Sequence, residues 1–181
     1  EPLDWIAPDE AAVKHLPAKL AHLAREERAD VLHLNLPSQA AGIETDLPLV
    51  VVSHSCVVTW WHTMRGEKLP QEWQWMKGQN AKGMARADVV VAPSGSHAQA
   101  IGECYGDQPK LTVIHNSISA FLHDGEKQPL VFAAGRWWDE GKNGRVLDEA
   151  AARTLWPVVM AGSTKGPNGQ EMTLLNARRA G

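Results

Sequence analysis

Short runs of apolar residues alternate along the chain with stretches whose apolar positions recur every three or four residues. The run at 47–53 is continuous, which is typical of a strand covered on both faces of its sheet. Residues 17–28 instead place Leu20, Leu23 and Ala24 on one face, as an amphipathic helix does. This pattern predicts strands at 30–36, 47–53, 88–92 and 111–114, with helices at 17–28, at 70–86 and from Ser94 or Ser96 to about 105.

A second set of elements follows residues 118–129, which have weak periodicity and are predicted to be a linker. It consists of a strand at 130–134, a helix from 142 to about 153 and a strand at 158–161. Short apolar strands that alternate with helices indicate parallel βαβ units. The sequence therefore predicts an α/β protein with two Rossmann-like parallel-sheet halves, residues 1–117 and 130–181.

Both halves are expected to be incomplete. The second set of strands is too small to bury both faces of its sheet, and the chain begins with Glu1 rather than with methionine. We therefore expect an internal piece of a longer protein.

Composition narrows the class of protein. Apolar residues make up 44% and charged residues 22% of the chain, as in a soluble globular protein. No run approaches 18 apolar residues, so no membrane-spanning helix is predicted. The net charge of −3 argues against a nucleic-acid partner. The two cysteines, Cys56 and Cys104, make neither a disulfide framework nor a thiolate zinc site, and reduced cytoplasmic thiols are the default expectation.

The residues best suited to bind a ligand follow the first strand of the second half. Ligands of open parallel sheets bind at the carboxyl ends of strands, where Gly135 would let a ligand approach the backbone. Arg136 offers a planar fork of donors for phosphate oxygens, and Lys142 adds a second cation. The alternative is that Asp139 and Glu140 neutralise both cations as surface ion pairs. From these residues alone, the two interpretations are about equally good.

Histidines and tryptophans supply further candidates. His54 ends an apolar strand, and either a site role or a hydrogen bond to the backbone fits it. His33 lies inside a strand and is predicted to be a core histidine. A nucleophilic pair of His54 with Cys56 is disfavoured, because neighbours two apart in a strand need not touch. Ser94 is predicted to cap a helix rather than to act as a nucleophile.

The two pairs of tryptophans in the first half, 60–61 and 73/75, could stack on an acceptor sugar, but packing is favoured. In the second half, Trp137 and Trp138 lie inside the candidate phosphate loop. One of these indoles could shield a bound donor, and nothing in the sequence decides which.

Between residues 30 and 165 the chain resembles the retaining glycosyltransferases of the large glycogen-synthase-like family, family 4, which has the two-domain GT-B fold. No single patch is specific, but five occur in the family's order and spacing. They are Asp30-Val31-Leu32-His33, the strand 49–54 ending in His54, Ala87-Asp88-Val89-Val90-Val91-Ala92-Pro93-Ser94, Val113-Ile114-His115-Asn116, and Phe132-Ala133-Ala134-Gly135-Arg136 followed by Lys142.

The resemblance implies a GT-B-like architecture and a role for each matching residue. Residues 1–117 would be the carboxyl-terminal part of the acceptor-side domain, and residues 130–181 the start of the nucleotide-sugar-binding domain. Arg136 and Lys142 would grip the donor diphosphate and stabilise charge on the leaving group. His54 would lie near the transferred sugar. Gly135, Gly162 and Ser163 would complete the donor site.

The implied reaction is a retaining transfer of a hexose from a nucleotide-diphosphate sugar to an acceptor hydroxyl. It would need no metal and no cofactor besides the donor, because the two cations replace the metal. The acceptor would be a carbohydrate or a lipid-linked molecule. A cytoplasmic location is expected, with peripheral contact at the inner face of a membrane as an open alternative.

Departures from the family pattern limit these expectations. Six positions separate Arg136 from Lys142 where five are commoner, and Asn143 and Ser117 replace two glycines of the family. The family's E-x7-E motif would lie beyond residue 181 and its glycine-rich loop before residue 1, so this piece alone is not expected to catalyse transfer. The alternatives are a GT-B epimerase or phosphorylase and a non-catalytic binding or scaffold module.

Overall fold

The computed structural model describes residues 4–119, 125–167 and 169–180, and it divides the chain into two units. Unit 1 is Glu1–Ser119 and unit 2 is Ala120–Gly181. Of the linker predicted at 118–129, residues 120–124 lie outside the described part of the chain.

Unit 1 contains a parallel sheet of four strands in the order β1-β2-β3-β4. The two central strands form where the sequence has an apolar run, because both of their faces are covered. Val51 of β2 lies opposite Val90 of β3, and both are buried in the core of the unit. The strands are β1 (Leu32–Leu34), β2 (Leu49–Val52), β3 (Val89–Ala92) and β4 (Leu111–Val113).

Four helices accompany this sheet: α1 (Leu16–Glu26), α2 (Val57–Arg65), α3 (Gln74–Arg86) and α4 (Gly95–Tyr105). The sequence predicted α1, α3 and α4, and Ser94 caps α4 as expected by accepting a hydrogen bond from the His97 amide. Helix α2 was not predicted. It begins at an unusual cap, because the Cys56 thiol accepts the Thr59 amide and the Thr59 hydroxyl accepts the Cys56 amide.

One contact in unit 1 brings two backbones together. Helix α3 lies on a short 3-10 helix, Pro37–Ala40, which follows β1. A Cβ at Gly83 of α3 would overlap the carbonyl oxygen of Pro37, whereas a Cβ at Gly78 of the same helix would meet nothing within 4 Å. Only a residue without a side chain therefore fits at position 83.

Three tryptophans of unit 1 pack against each other. The ring of Trp61 meets the ring of Trp73 edge-on, with centroids 5.0 Å apart, and lies 6.4 Å from that of Trp60. The Arg65 guanidinium lies over both Trp60 and Trp61. The prediction of a core histidine is wrong for His33. This residue is exposed, because it lies on the outward face of β1, which is an edge strand of the sheet.

Within its described residues, unit 2 contains a second parallel sheet, in the order β5-β6-β7, and one helix longer than a single turn. Its buried core consists of Trp137, Val158 and Met160. The last strand was not predicted, since it is made of two exposed arginines. The elements are β5 (Val131–Ala134), α5 (Gly144–Ala151), β6 (Val158–Ala161) and β7 (Arg178–Arg179). Two parallel sheets confirm the predicted α/β class.

A buried carboxylate fixes the segment that leads into β7. Asp148 of α5 accepts hydrogen bonds from the backbone amides of Leu175, Asn176 and Ala177, at 2.8–3.2 Å. Burial acts to raise the pKa of Asp148, but the amides of Ala177, Leu175 and Asn176 outweigh it, and the pKa lies below the ordinary aspartate value. The ionised carboxylate therefore stabilises unit 2.

Replacing Asp148 by asparagine is expected to lower the free energy of unfolding by about 1–3 kcal/mol at neutral pH, because buried amide donors lose a charged acceptor. A lowered pKa stabilises the fold above the ordinary aspartate pKa of about 3.9, and this stabilisation disappears as the pH falls through the folded-state pKa. Urea unfolding of both proteins at pH 7 and at pH values below about 4 tests this. The exposed neighbour Glu149, replaced by glutamine, is the control, and an equal loss in both variants at pH 7 contradicts the assignment.

Candidate functional site

The loops that leave β5 and β6 run side by side in unit 2. The Gly135 amide donates to the carbonyl of Ala161 at 3.0 Å, and the Trp137 amide donates to the carbonyl of Ser163 at 2.8 Å. Gly162 has a φ of 112°, which favours glycine. A Cβ at Gly162 would overlap the carbonyl oxygen of Gly135. Two of the predicted donor-site residues thus meet backbone to backbone at the carboxyl ends of neighbouring parallel strands.

The two tryptophans of this loop have different roles in the fold. Trp137 is buried in the core of unit 2, and its indole N–H donates to the carbonyl of Ala161 at 2.8 Å. Trp138 is half-buried, and its ring lies against Gly166, where a Cβ would come within 2.9 Å of the indole. Of the two indoles, Trp138 is therefore the one that a ligand could reach.

Arg136 follows Gly135 and remains largely exposed. Its guanidinium lies 5.5 Å from the centre of the Trp138 ring and forms an ion pair with Asp139, with 3.3 Å between Nη2 and Oδ2. The side chain of Arg136 is 64% exposed and that of Asp139 only 22%. The ion pair considered as the alternative to phosphate binding is therefore present for Arg136, and it leaves most of the Arg136 side chain exposed.

Lys142 is exposed and lies in a 3-10 turn, Glu140–Lys142, before the helix rather than in its first turn. Helix α5 begins at Gly144, two residues later than the sequence predicted. The residue between them, Asn143, has φ 51° and ψ 37°. Asparagine is one of the few residues with a side chain that tolerates this left-handed conformation. This explains how Asn143 can stand where the family pattern has glycine.

The loop after β6 turns on Ser163. Its hydroxyl donates to the carbonyl of Lys165 at 2.7 Å and accepts the amide of the same residue at 3.2 Å. Lys165 in turn pairs with Glu171, with 3.2 Å between Nζ and Oε1. Ser163 is exposed beside Gly162, and its hydroxyl is engaged in the turn.

His54 lies in unit 1, just after β2, and is exposed. The preceding residue, Ser53, is buried, and its hydroxyl lies 3.1 Å from Nε2 of His97 in the first turn of α4. Burial lowers the pKa of His97, a hydrogen bond with the Ser53 backbone acts in the opposite direction, and nearby His54 adds to the lowering. The sequence did not connect His97 with His54, because 43 positions separate them.

Cys56 serves the fold of unit 1. It is buried, caps α2 and lies 3.2 Å from the Tyr105 hydroxyl, which agrees with the preference against a nucleophilic pair with His54. Within residues 4–119, 125–167 and 169–180, no group of three or more His, Cys, Asp or Glu side chains is suited to a metal ion. In that same part of the chain, no helix combines the length and the apolar character that crossing a bilayer requires.

Comparison with known protein families assigns the chain to a family. A family model described as Glycosyltransferase Family 4 matches residues 3–120, about two thirds of the chain. The matched segment contains β1 to β4 and His54, and it ends before β5, so Gly135, Arg136, Lys142, Gly162 and Ser163 lie beyond it. No curated protein matches the chain.

Proposed function

Because the chain belongs to glycosyltransferase family 4, we propose that it contributes to the retaining, metal-independent transfer of a hexose from a nucleotide-diphosphate sugar to an acceptor hydroxyl. The acceptor is a carbohydrate or a lipid-linked molecule. In this proposal Arg136 and Lys142 contact the donor diphosphate, Gly135, Gly162 and Ser163 line the donor site, and His54 lies beside the transferred sugar.

The observation that supports the donor site best is the meeting of Gly135 and Gly162 at the ends of β5 and β6. At this junction Gly162 is exposed and Gly135 is half-buried, so a ligand can reach part of the backbone there. The space beside the two Cα atoms is filled by the Trp137 ring and by the Gly135 carbonyl. The largely exposed guanidinium of Arg136 leaves the same strand end. The carboxyl ends of parallel strands are where open α/β sheets bind ligands. A diphosphate suits a strand end beside an exposed guanidinium better than an uncharged ligand does.

The proposed chemistry uses these cations to stabilise the leaving group. The bond between the sugar C1 and the diphosphate oxygen breaks, and the acceptor oxygen forms the new bond to C1 on the same face. The acceptor hydroxyl gives its proton to the departing diphosphate oxygen, and the nucleoside diphosphate leaves with both electrons of the broken bond. Donors aimed at such developing charge, each removed singly, change turnover by about 10²–10³-fold in other enzymes.

His54 is proposed to act on the sugar side of the reaction. Its exposure at the end of β2 leaves the ring available to a ligand, and the contact between Ser53 and His97 holds the preceding backbone in place. The lowered pKa of His97 keeps that histidine uncharged at neutral pH. A neutral His97 adds no repulsion towards a positively charged sugar transition state.

The proposal is tested by incubating the full-length protein with a panel of UDP-, GDP-, ADP- and dTDP-hexoses, with and without acceptor sugars. We expect acceptor-dependent release of a nucleoside diphosphate and a product anomer, read by NMR, with the configuration of the donor. Turnover should persist in excess EDTA. An inverted anomer or loss of turnover in EDTA overturns the corresponding part.

The same assay separates the alternatives by their products. Isomerisation of the nucleotide sugar without acceptor identifies an epimerase. Formation of a sugar 1-phosphate with inorganic phosphate identifies a phosphorylase. Binding of a nucleotide sugar with no product in any condition identifies a non-catalytic binding module.

A further inference from the structure

A single carboxylate joins the two segments that present the cations of the proposed donor site. Oδ2 of Asp139 pairs with Nη2 of Arg136 at 3.3 Å, and Oδ1 accepts the amide of Gly141 at 3.0 Å. The backbone of Asp139 makes two further bonds. Its amide donates to the carbonyl of Arg136, and its carbonyl accepts the amide of Lys142, both at 2.9 Å.

These four contacts restrict the geometry of the Arg136 side chain and of the turn that contains Lys142. The bonds to Gly141 and Lys142 close the 3-10 turn that precedes α5, so they set where Lys142 leaves the backbone. The pair with Arg136, together with the Trp138 ring, restricts a long side chain that otherwise has many rotamers. The carboxylate of Asp139 is mostly covered, which favours a fixed geometry.

We infer that Asp139 is a positioning residue for diphosphate binding, which holds Arg136 and the turn of Lys142 in their binding arrangement. This inference rests on the proposed function, since it takes both cations as the diphosphate contacts. It also has a counterintuitive consequence. Removing a negative charge beside an anion should favour the anion, whereas removing a positioning group should weaken its binding.

The test is calorimetric titration of the full-length protein with UDP, GDP, ADP and dTDP, continued with the diphosphate that wild type binds most tightly. Asp139→Asn keeps an oxygen for the Gly141 amide and loses the charged partner of Arg136. We expect about fivefold weaker binding, the effect of leaving one long side chain to be ordered by the ligand. Asp139→Ala removes the turn cap as well and should weaken binding further. Unchanged or tighter binding by Asp139→Asn overturns the inference.

A double-mutant cycle decides whether Asp139 acts through Arg136. In the Arg136→Ala background, Asp139→Asn should have no further effect on affinity, and an equal additional loss overturns the inference. Glu140→Gln, which removes a negative charge from the same turn, is the control for charge alone. If Asp139→Asn unfolds at a lower temperature than the wild type, the titrations are repeated with Asp139→Ser, which keeps a capping oxygen.

The cycle also separates this inference from the function on which it rests. If Arg136→Ala binds nucleoside diphosphates as well as wild type, the proposed donor site itself fails. If Arg136→Ala weakens binding and Asp139→Asn does not, only the positioning role of Asp139 fails.

Discussion

Replacing Arg136 by alanine in the full-length protein is expected to lower the kcat/KM for the nucleotide sugar by about 10²–10³-fold. The guanidinium supplies paired donors for phosphate oxygens, a geometry that the ammonium group of Lys142 does not reproduce. Charge on the departing diphosphate would then be stabilised by Lys142 and backbone amides alone. Initial rates of nucleoside diphosphate release, at several donor concentrations, give the measurement.

Lys142→Ala is expected to show a loss in the same direction, and nucleoside diphosphate binding should weaken in both variants. Arg145→Ala is the matched control, since Arg145 is an exposed arginine on α5 of the same unit. It should retain wild-type kinetics. Wild-type kcat/KM and affinity in both Arg136→Ala and Lys142→Ala would remove the basis of the proposed donor site.

The second large effect concerns the fold of unit 1. Gly83→Ala is expected to lower the free energy of unfolding by about 3 kcal/mol or more, because the new methyl group must displace backbone rather than a mobile side chain. The carbonyl of Pro37 and helix α3 would have to separate, and the 3-10 helix at 37–40 would lose its contact with α3. Urea unfolding followed by far-UV circular dichroism measures the loss.

Gly78→Ala, in the same helix, provides a control of opposite sign. A Cβ at Gly78 meets nothing within 4 Å, so alanine should stabilise the helix by about 0.5–1 kcal/mol through its better helix propensity. The two substitutions are chemically identical and differ only in what surrounds the new methyl group. Similar stabilities of the two variants would contradict the close approach of α3 to Pro37.

The sequence predicted the strands well because their signal is local. The apolar runs at 47–53 and 88–92 contain β2 and β3, and each ends within a residue or two of the observed strand. Elements with a weak or polar sequence pattern were not predicted. Helix α2 has adjacent tryptophans and a cysteine cap instead of a usual capping residue. Strand β7 consists of two exposed arginines, which no apolar pattern marks.

The candidate site also combines residues that a local pattern indicates with contacts that no local pattern indicates. Gly135, Arg136 and Lys142 could be singled out because they follow an apolar strand, which is a local pattern. The overlap of a Gly162 side chain with the Gly135 carbonyl depends on the pairing of β5 with β6, which no local pattern contains. The bond between Ser53 and His97 likewise joins residues distant in sequence. The burial of Trp137, and the accessibility of Trp138, depend on packing within unit 2.

The carbonyl of Gly135 occupies the space that a side chain at Gly162 would need. Any mutation at position 162 therefore disturbs the junction of two strands before it can alter what the site prefers to bind. Evolution of a new donor preference would have to proceed through the surrounding side chains, such as Trp138 and Ser163. The backbone of Gly135 and Gly162 would stay the same while the donor preference changed.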